Sequence, residues 1–211
     1  MPDGTYQPKV YEKQGGDEIV VASGGQITVE AGGAIQLPAN LRTGYIPLDL
    51  FSIREIVSND IPNTATQAGG FLAKNTTPIL ERINGATDKG IRVAWAAANV
   101  DPIQFGPVPY PLDLDDTAPV TVKLLVSKDT NTDTLANIAV AYFEGVGDTN
   151  AGTNTPAITE TTGPALKSVT IAGVDVGPAP TFATVELVPG THGTDAIRLY
   201  AAWLEYQRKN T

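Results

Sequence analysis

Between Gly15 and Ala39 the sequence writes one short unit three times, as GGDEIVVAS, GGQITVEA and GGAIQLPA. Each copy opens on a glycine pair: Gly15-Gly16, Gly24-Gly25 and Gly32-Gly33. Each then sets two aliphatic residues two apart: Ile19 and Val21, Ile27 and Val29, Ile35 and Leu37. That spacing puts both side chains on one face of a strand. Glycine pairs admit backbone angles that other residues resist, so each pair can bend or reverse the chain. The unit predicts a small β-meander or solenoid-like ribbon.

Such a ribbon cannot close a core by itself. Its few aliphatic side chains do not offset backbone ordering at about 1–2 kcal/mol per residue. Isolated short strands are marginal in water. Partner copies remove the deficit: three ribbons around an axis enclose one apolar core, as stacked repeats do. Ile19, Val21, Ile27, Val29, Ile35 and Leu37 are therefore the expected oligomerisation residues, and a homotrimer is the expected assembly. A flexible Gly-rich linker is the alternative, but linkers do not place Ile, Val and Leu so regularly. The rest of the chain reads as a head on a multimeric stem.

The chain's 211 residues fit one domain plus an appendage, or two small domains. The texture changes after Pro38–Gly44, so the boundary is set near Thr43, giving an arm and ribbon over 1–43 and a β-sandwich over 44–211. No apolar run is long enough for a membrane helix, and Met1–Gln7 lacks the apolar core of a secretory signal. There is no cysteine, hence no disulfide and no thiolate metal site. A formal charge of −9 argues against a nucleic-acid surface. Glycine and proline number 21 and 16, which suits many turns and few helices.

Met1–Gln14 reads as a polar arm. Tyr45–Ile56 carries Ile46, Leu48 and Leu50 on one face, then Phe51 and Ile53 after a shift of phase that predicts a bulge or bend. Ser58–Thr77 is loop-rich. Pro78–Asn84 is a short strand, Asn84–Gly90 a turn, and Gly90–Ala98 a strand with Ile91, Val93 and Trp95 on one face. Val100–Pro111 holds four prolines and is expected to be irregular. Val120–Ser127 and Leu135–Glu144 are strands joined by the polar turn Lys128–Thr134; the second alternates so as to be buried on both sides. Gly145–Pro164 reads as a long polar loop. Leu166–Ala172, Phe182–Val188 and Ala196–Tyr206 are the last strands, with Ile197, Leu199, Ala201 and Trp203 expected on one face. About eight strands without intervening helices predict an antiparallel, jelly-roll-like sandwich.

YFEGVGDTNAGT at Tyr142–Thr153 and PGTHGTDAIRLYAAWLEYQRK at Pro189–Lys209 resemble the closing half of a β-sandwich domain found in tailed-phage virion proteins. The Gly-Gly ribbon resembles the N-terminal region of the same kind of protein. The resemblance implies a virion structural protein: a capsid decoration (cement) protein or head fibre. Decoration proteins of this kind are commonly trimers on the capsid exterior, with the major capsid protein as partner. The alternative is a tail or head fibre-tip module that recognises a host surface glycan.

Candidate chemistry is sparse, and neither an enzyme nor a cofactor is expected. His192, the one histidine, lies in PGTHGTD near Asp195, but no nucleophile elbow accompanies them. Asp113, Asp115 and Asp116 form an acidic knot. Asp129, Asn131 and Asp133 match the opening of a calcium loop, but Thr134 stands where glycine is wanted and Val140 where the bidentate glutamate belongs. No metal is expected at either. Glu81, Asp88, Glu144 and Glu160 offer carboxylates without singling out a glycosidase pair. Trp95 and Trp203 read as core aromatics rather than sugar platforms. The loops at Lys128–Thr134, Gly145–Pro164, Gly173–Pro180 and Pro189–Asp195 lack aromatic rings, which lowers the glycan reading; only Tyr110, between two prolines, looks displayed.

Overall fold

The computed structural model describes residues 10–12, 19–21, 23–28, 42–55, 78–86, 89–173, 176–177 and 181–209. The chain divides into two units, Met1–Pro38 with Asn210–Thr211, and Ala39–Lys209. Among the described residues there is no α-helix.

In the first unit, β1 (Val10–Glu12) pairs antiparallel with β2 (Ile19–Val21), Val10 opposite Val21. The first repeat copy thus forms its strand, but against the segment expected as a polar arm. Gly24 comes next in a turn with φ of 73°, the left-handed conformation that favours glycine. Gly25–Thr28 is not strand, so Ile27 stands outside one, contrary to the expected ribbon. Val29, Ile35 and Leu37 lie outside the described residues.

The second unit is an antiparallel, jelly-roll-like β-sandwich. Its strands are β3 (Thr43–Leu48), β4 (Arg54–Glu55), β5 (Ile79–Asn84), β6 (Lys89–Trp95), β7 (Ile103–Pro109), β8 (Val120–Lys128), β9 (Ile138–Glu144), β10 (Ala165–Ile171), β11 (Phe182–Pro189) and β12 (Ile197–Gln207). One sheet has six strands in the order β10-β8-β12-β6-β5, with β3 also on β12. The other has four, β4-β7-β11-β9. From β6 to β12 the chain changes sheet at every step, so each crossing wraps the core. Val93, Trp95, Val122, Leu124, Leu199 and Leu204 from the larger sheet meet Phe105, Ile138, Val140, Tyr142, Val185 and Leu187 from the smaller.

One expected local feature is present and two differ from the expectation, each with a physical cause. The phase shift after Leu48 is a 3-10 turn, Leu50–Ser52, capped by the Asp49 carboxylate accepting from Phe51 N at 2.9 Å. It carries the chain from β3 in one sheet to β4 in the other, leaving Ile53 buried and Phe51 exposed. Val100–Pro111 is not irregular, for it contains β7. The pairing of β7 with β11 shifts register between Phe105 and Val108, and Pro107 falls in that bulge, where its missing N–H interrupts no ladder bond.

Gly145–Pro164, expected as a loop, is a strap along the outer edge of β9. The amides of Ile138, Val140, Tyr142 and Glu144 donate in turn to Thr155 Oγ1, Thr153 O, Asn150 Oδ1 and Asp148 Oδ2, at 2.9–3.0 Å. An edge that would otherwise template further pairing is thereby closed. Gly152 is needed in this strap, because a Cβ there would collide with the Val140 carbonyl. Ser58–Thr77 lies outside the described residues.

Candidate functional site

The larger sheet's outer face is built around a bulge in β12. Pairing of β12 with β8 shifts register between Leu199 and Ala201. Before the shift Ile197 and Leu199 point into the core; after it Ala202, Leu204 and Tyr206 do. The expected face Ile197-Leu199-Ala201-Trp203 is therefore broken, and Trp203 is corrected from core to a half-buried position on the outer face. Strict alternation would put Tyr200 and Trp203 on opposite sides. The extra residue of the bulge brings both to one side. Trp95 stays wholly buried, its Nε1 donating to Asp101 O at 3.0 Å.

Cross-strand register defines the face in rows. Trp203 stands opposite Pro47 of β3 and Lys123 of β8. Glu205 stands opposite Tyr45 and Thr121. Tyr45, 63% exposed, is thus a diagonal neighbour of Trp203. Lys123 Nζ lies 3.7 Å from Glu205 Oε2, bordering the indole row with an ion pair.

Beside this lies a polar network. Arg92 and Glu81 are opposite each other on β6 and β5. Arg92 Nε donates to Glu81 Oε1 at 2.5 Å and Nη1 donates to Tyr200 OH at 3.0 Å. The guanidinium also lies 5.6 Å from the Tyr200 ring centroid. Tyr200 OH meets Ser127 Oγ at 3.2 Å. Burial works against the charge on Arg92, but the hydrogen bonds with Glu81 and Tyr200 outweigh it and raise its pKa. An open cleft of about 210 Å³ adjoins the network, lined by Ile79, Glu81, Arg92, Ala94, Ala96 and Arg198 among others. Arg198 reaches Asp129 at 3.9 Å.

The other sequence candidates are structural. His192 is buried at one end of the sandwich, Nδ1 facing Gly190 O at 2.6 Å and Nε2 facing Ala96 O at 3.1 Å. Asp195 faces Lys128 and accepts from the Thr130 hydroxyl. Asp129 accepts from Ala196 N at 2.7 Å, and Asp133 from the amides of Thr194 and Asp195. These carboxylates hold the loop before β12. In the acidic knot, Asp113 accepts from Tyr206 OH at 3.2 Å and pairs with Arg208, while Asp116 pairs with Lys209. Asp115 accepts from the Thr117 hydroxyl and amide, which lowers its pKa against the cost of burial. Glu160 pairs with Lys167 at 3.0 Å, and a Cβ on Gly177 would meet the Glu144 carboxylate. Asp88 lies outside the described residues. Tyr110, expected to be displayed, is 5% exposed, and burial, with Glu144 and Asp148 nearby, raises its pKa.

Of the expected oligomerisation residues, Val21 and Ile27 are 42% and 54% exposed. Ile19 lies in β2.

No family model matches this sequence, nor does any curated protein. Among solved structures, the chain is similar to the xylan-binding module CBM15, at 12% identity over 79% of this chain and 99% of that one, TM-score 0.48. It is also similar to a β-1,3-glucan-binding CBM6 from Bacillus halodurans, at 14% identity over 79% of this chain and 96% of that one, TM-score 0.41. Likeness to the arabinose-bound α-L-arabinofuranosidase MgGH51, at 13% identity and TM-score 0.42, covers 72% of this chain but only 26% of that larger one. Each is a distant likeness.

Proposed function

We propose that this chain is a non-catalytic structural protein of a tailed-phage virion, binding the outside of the capsid as a homotrimer and stabilising the shell. The observation that carries this reading is the exposure of Val21, in the paired strands β1 and β2, and of Ile27 just beyond them, 42% and 54%. A two-stranded ribbon is marginal in water. Further copies would bury these exposed aliphatics in a shared core. The resemblance of the Gly-Gly ribbon and of Pro189–Lys209 to virion proteins gives the assembly its setting.

Two further points support the reading. Groups that would suit catalysis are engaged in holding the sandwich together: His192 between two carbonyls, Asp195 against Lys128. Three chains at −9 each carry about −27, which suits the shell's exterior, away from packaged genome. A trimer presents three identical patches to the major capsid protein, and engagement of one raises the effective concentration of the others.

The test is to mix the purified chain with capsid shells lacking it, then measure occupancy and rupture temperature. Saturable binding and a raised rupture temperature are expected. A monomer at high concentration that leaves shells unbound overturns the proposal.

A further inference from the structure

We propose that the outer face of the six-stranded sheet binds polysaccharide, with Trp203 and Tyr45 as ring platforms and Arg92, Glu81, Lys123 and Tyr200 as hydrogen-bonding partners. The inference goes beyond capsid binding and does not depend on it.

A sugar ring presents apolar C–H faces and a rim of hydroxyls. Its complement is a set of aromatic faces with polar groups already fixed beside them. The bulge after Leu199 puts Tyr200 and Trp203 on one side of β12, and register sets Tyr45 diagonal to Trp203. Two accessible rings thus lie on adjoining strands of a rigid sheet. The polar groups are held before any ligand arrives: Arg92 by Glu81 and Tyr200, Lys123 by Glu205. Groups fixed in place lose less freedom on binding.

Charge narrows the occupant. The chain carries −9, and on this face Arg92, Lys123 and Arg198 are paired with Glu81, Glu205 and Asp129. A neutral or weakly acidic polysaccharide meets no repulsion there. Nucleic acid requires a net cationic surface to displace counterions, and these cations are matched by carboxylates.

The test uses the full chain in native gels containing soluble xylan, hydroxyethyl cellulose, laminarin or bacterial lipopolysaccharide. Retardation in at least one gel is expected, together with a change in tryptophan fluorescence. Trp95 is wholly buried, so the change reports Trp203. Trp203→Ala and Tyr45→Ala should each weaken retardation about tenfold or more, with melting temperature and shell binding retained. Leu135→Ala, an exposed site in the loop after β8, should leave retardation unchanged. Unretarded mobility in every gel, or retardation that survives both aromatic substitutions, overturns the proposal. So does loss of shell binding in Trp203→Ala without any polysaccharide effect, which would make the face a protein contact. Shell binding is scored separately, so failure here is distinct from failure of the capsid reading.

Discussion

Lys128 Nζ lies 3.4 Å from Asp195 Oδ2, and both side chains are wholly buried. Lys128 is the last residue of β8, and Asp195 stands just before β12. The pair is completed by backbone groups. Lys128 donates to Asp133 O at 2.6 Å, while Asp195 accepts from the Thr130 hydroxyl and the amides of Thr132 and Asp133. A buried pair of this kind fixes a geometry more than it adds net stability, because desolvation offsets most of the attraction.

Removing one partner should therefore be far worse than removing both. Lys128→Met or Asp195→Leu alone should cost about 3–5 kcal/mol, since an uncompensated charge is left buried. The double variant should recover a good part of that loss. Denaturant unfolding of the three variants gives the coupling energy directly. Additive losses would show that the two side chains act independently.

The same site sets an acid limit. Burial disfavours the charged Asp195, but hydrogen bonds from Thr130, Asp133, Lys128 and Thr132 outweigh it, so its folded pKa lies below the ordinary value. A depressed folded pKa gives stability that is fully present above the unfolded value, about 3.9. It is lost as pH falls through the lower folded value. Unfolding free energy measured from pH 6 down to pH 2 should thus fall steeply below about pH 4. The Lys128→Met/Asp195→Leu variant should show a shallower slope. Equal slopes would remove Asp195 as the source.

How much of this was legible in the sequence depends on what each pattern encodes. Alternation in VTVKLLVS located β8, because period-two burial is local; in LANIAVAYFE the strand begins only at Ile138 and buries one face, Ile138, Val140 and Tyr142, rather than both. Bulges are not local. Ala196–Tyr206 alternates as if straight, and only pairing with β8 reveals the shift after Leu199 that moves Trp203 outward. Local alternation therefore does not disclose the rings of the proposed outer face, which lie on strands and not in loops. Spacing of three between Tyr200 and Trp203, with small alanines at 201 and 202, was the available signal. Lys128 opens a polar run in the sequence, and no local pattern announces a buried lysine whose partner stands just before β12.

The strap over β9 yields a paired comparison of glycines. A Cβ at Gly152 would collide with the Val140 carbonyl, which is backbone and cannot swing aside, whereas one at Gly106 in β7 would meet nothing within 4 Å. Gly152→Ala should lose about 1–3 kcal/mol through overpacking. Gly106→Ala should be neutral or slightly stabilising, by restricting the unfolded chain. Thermal melts of both variants decide it. Hydrogen exchange should also find the amides of Val140 and Tyr142 less protected in Gly152→Ala alone. Equal stability of the two variants would mean that the strap contributes little to the edge.

Stem and head should be separable. The unit Ala39–Lys209 holds β3–β12, so as a fragment it should unfold in one cooperative transition. It should also be monomeric, because the proposed contacts lie in the removed stem. In the full chain, Val21→Asp and Ile27→Asp place charges where aliphatics are proposed to meet their copies. Desolvating an unpaired carboxylate in an apolar interface costs several kcal/mol. Each substitution should shift the trimer–monomer equilibrium by a hundredfold or more, at about 1.4 kcal/mol per tenfold. The head's melting temperature should stay the same. Sedimentation velocity across a concentration series measures both arms. A fragment that stays trimeric, or stem variants that assemble like the parent chain, would place the self-association surface in the sandwich and not in the Gly-Gly repeat.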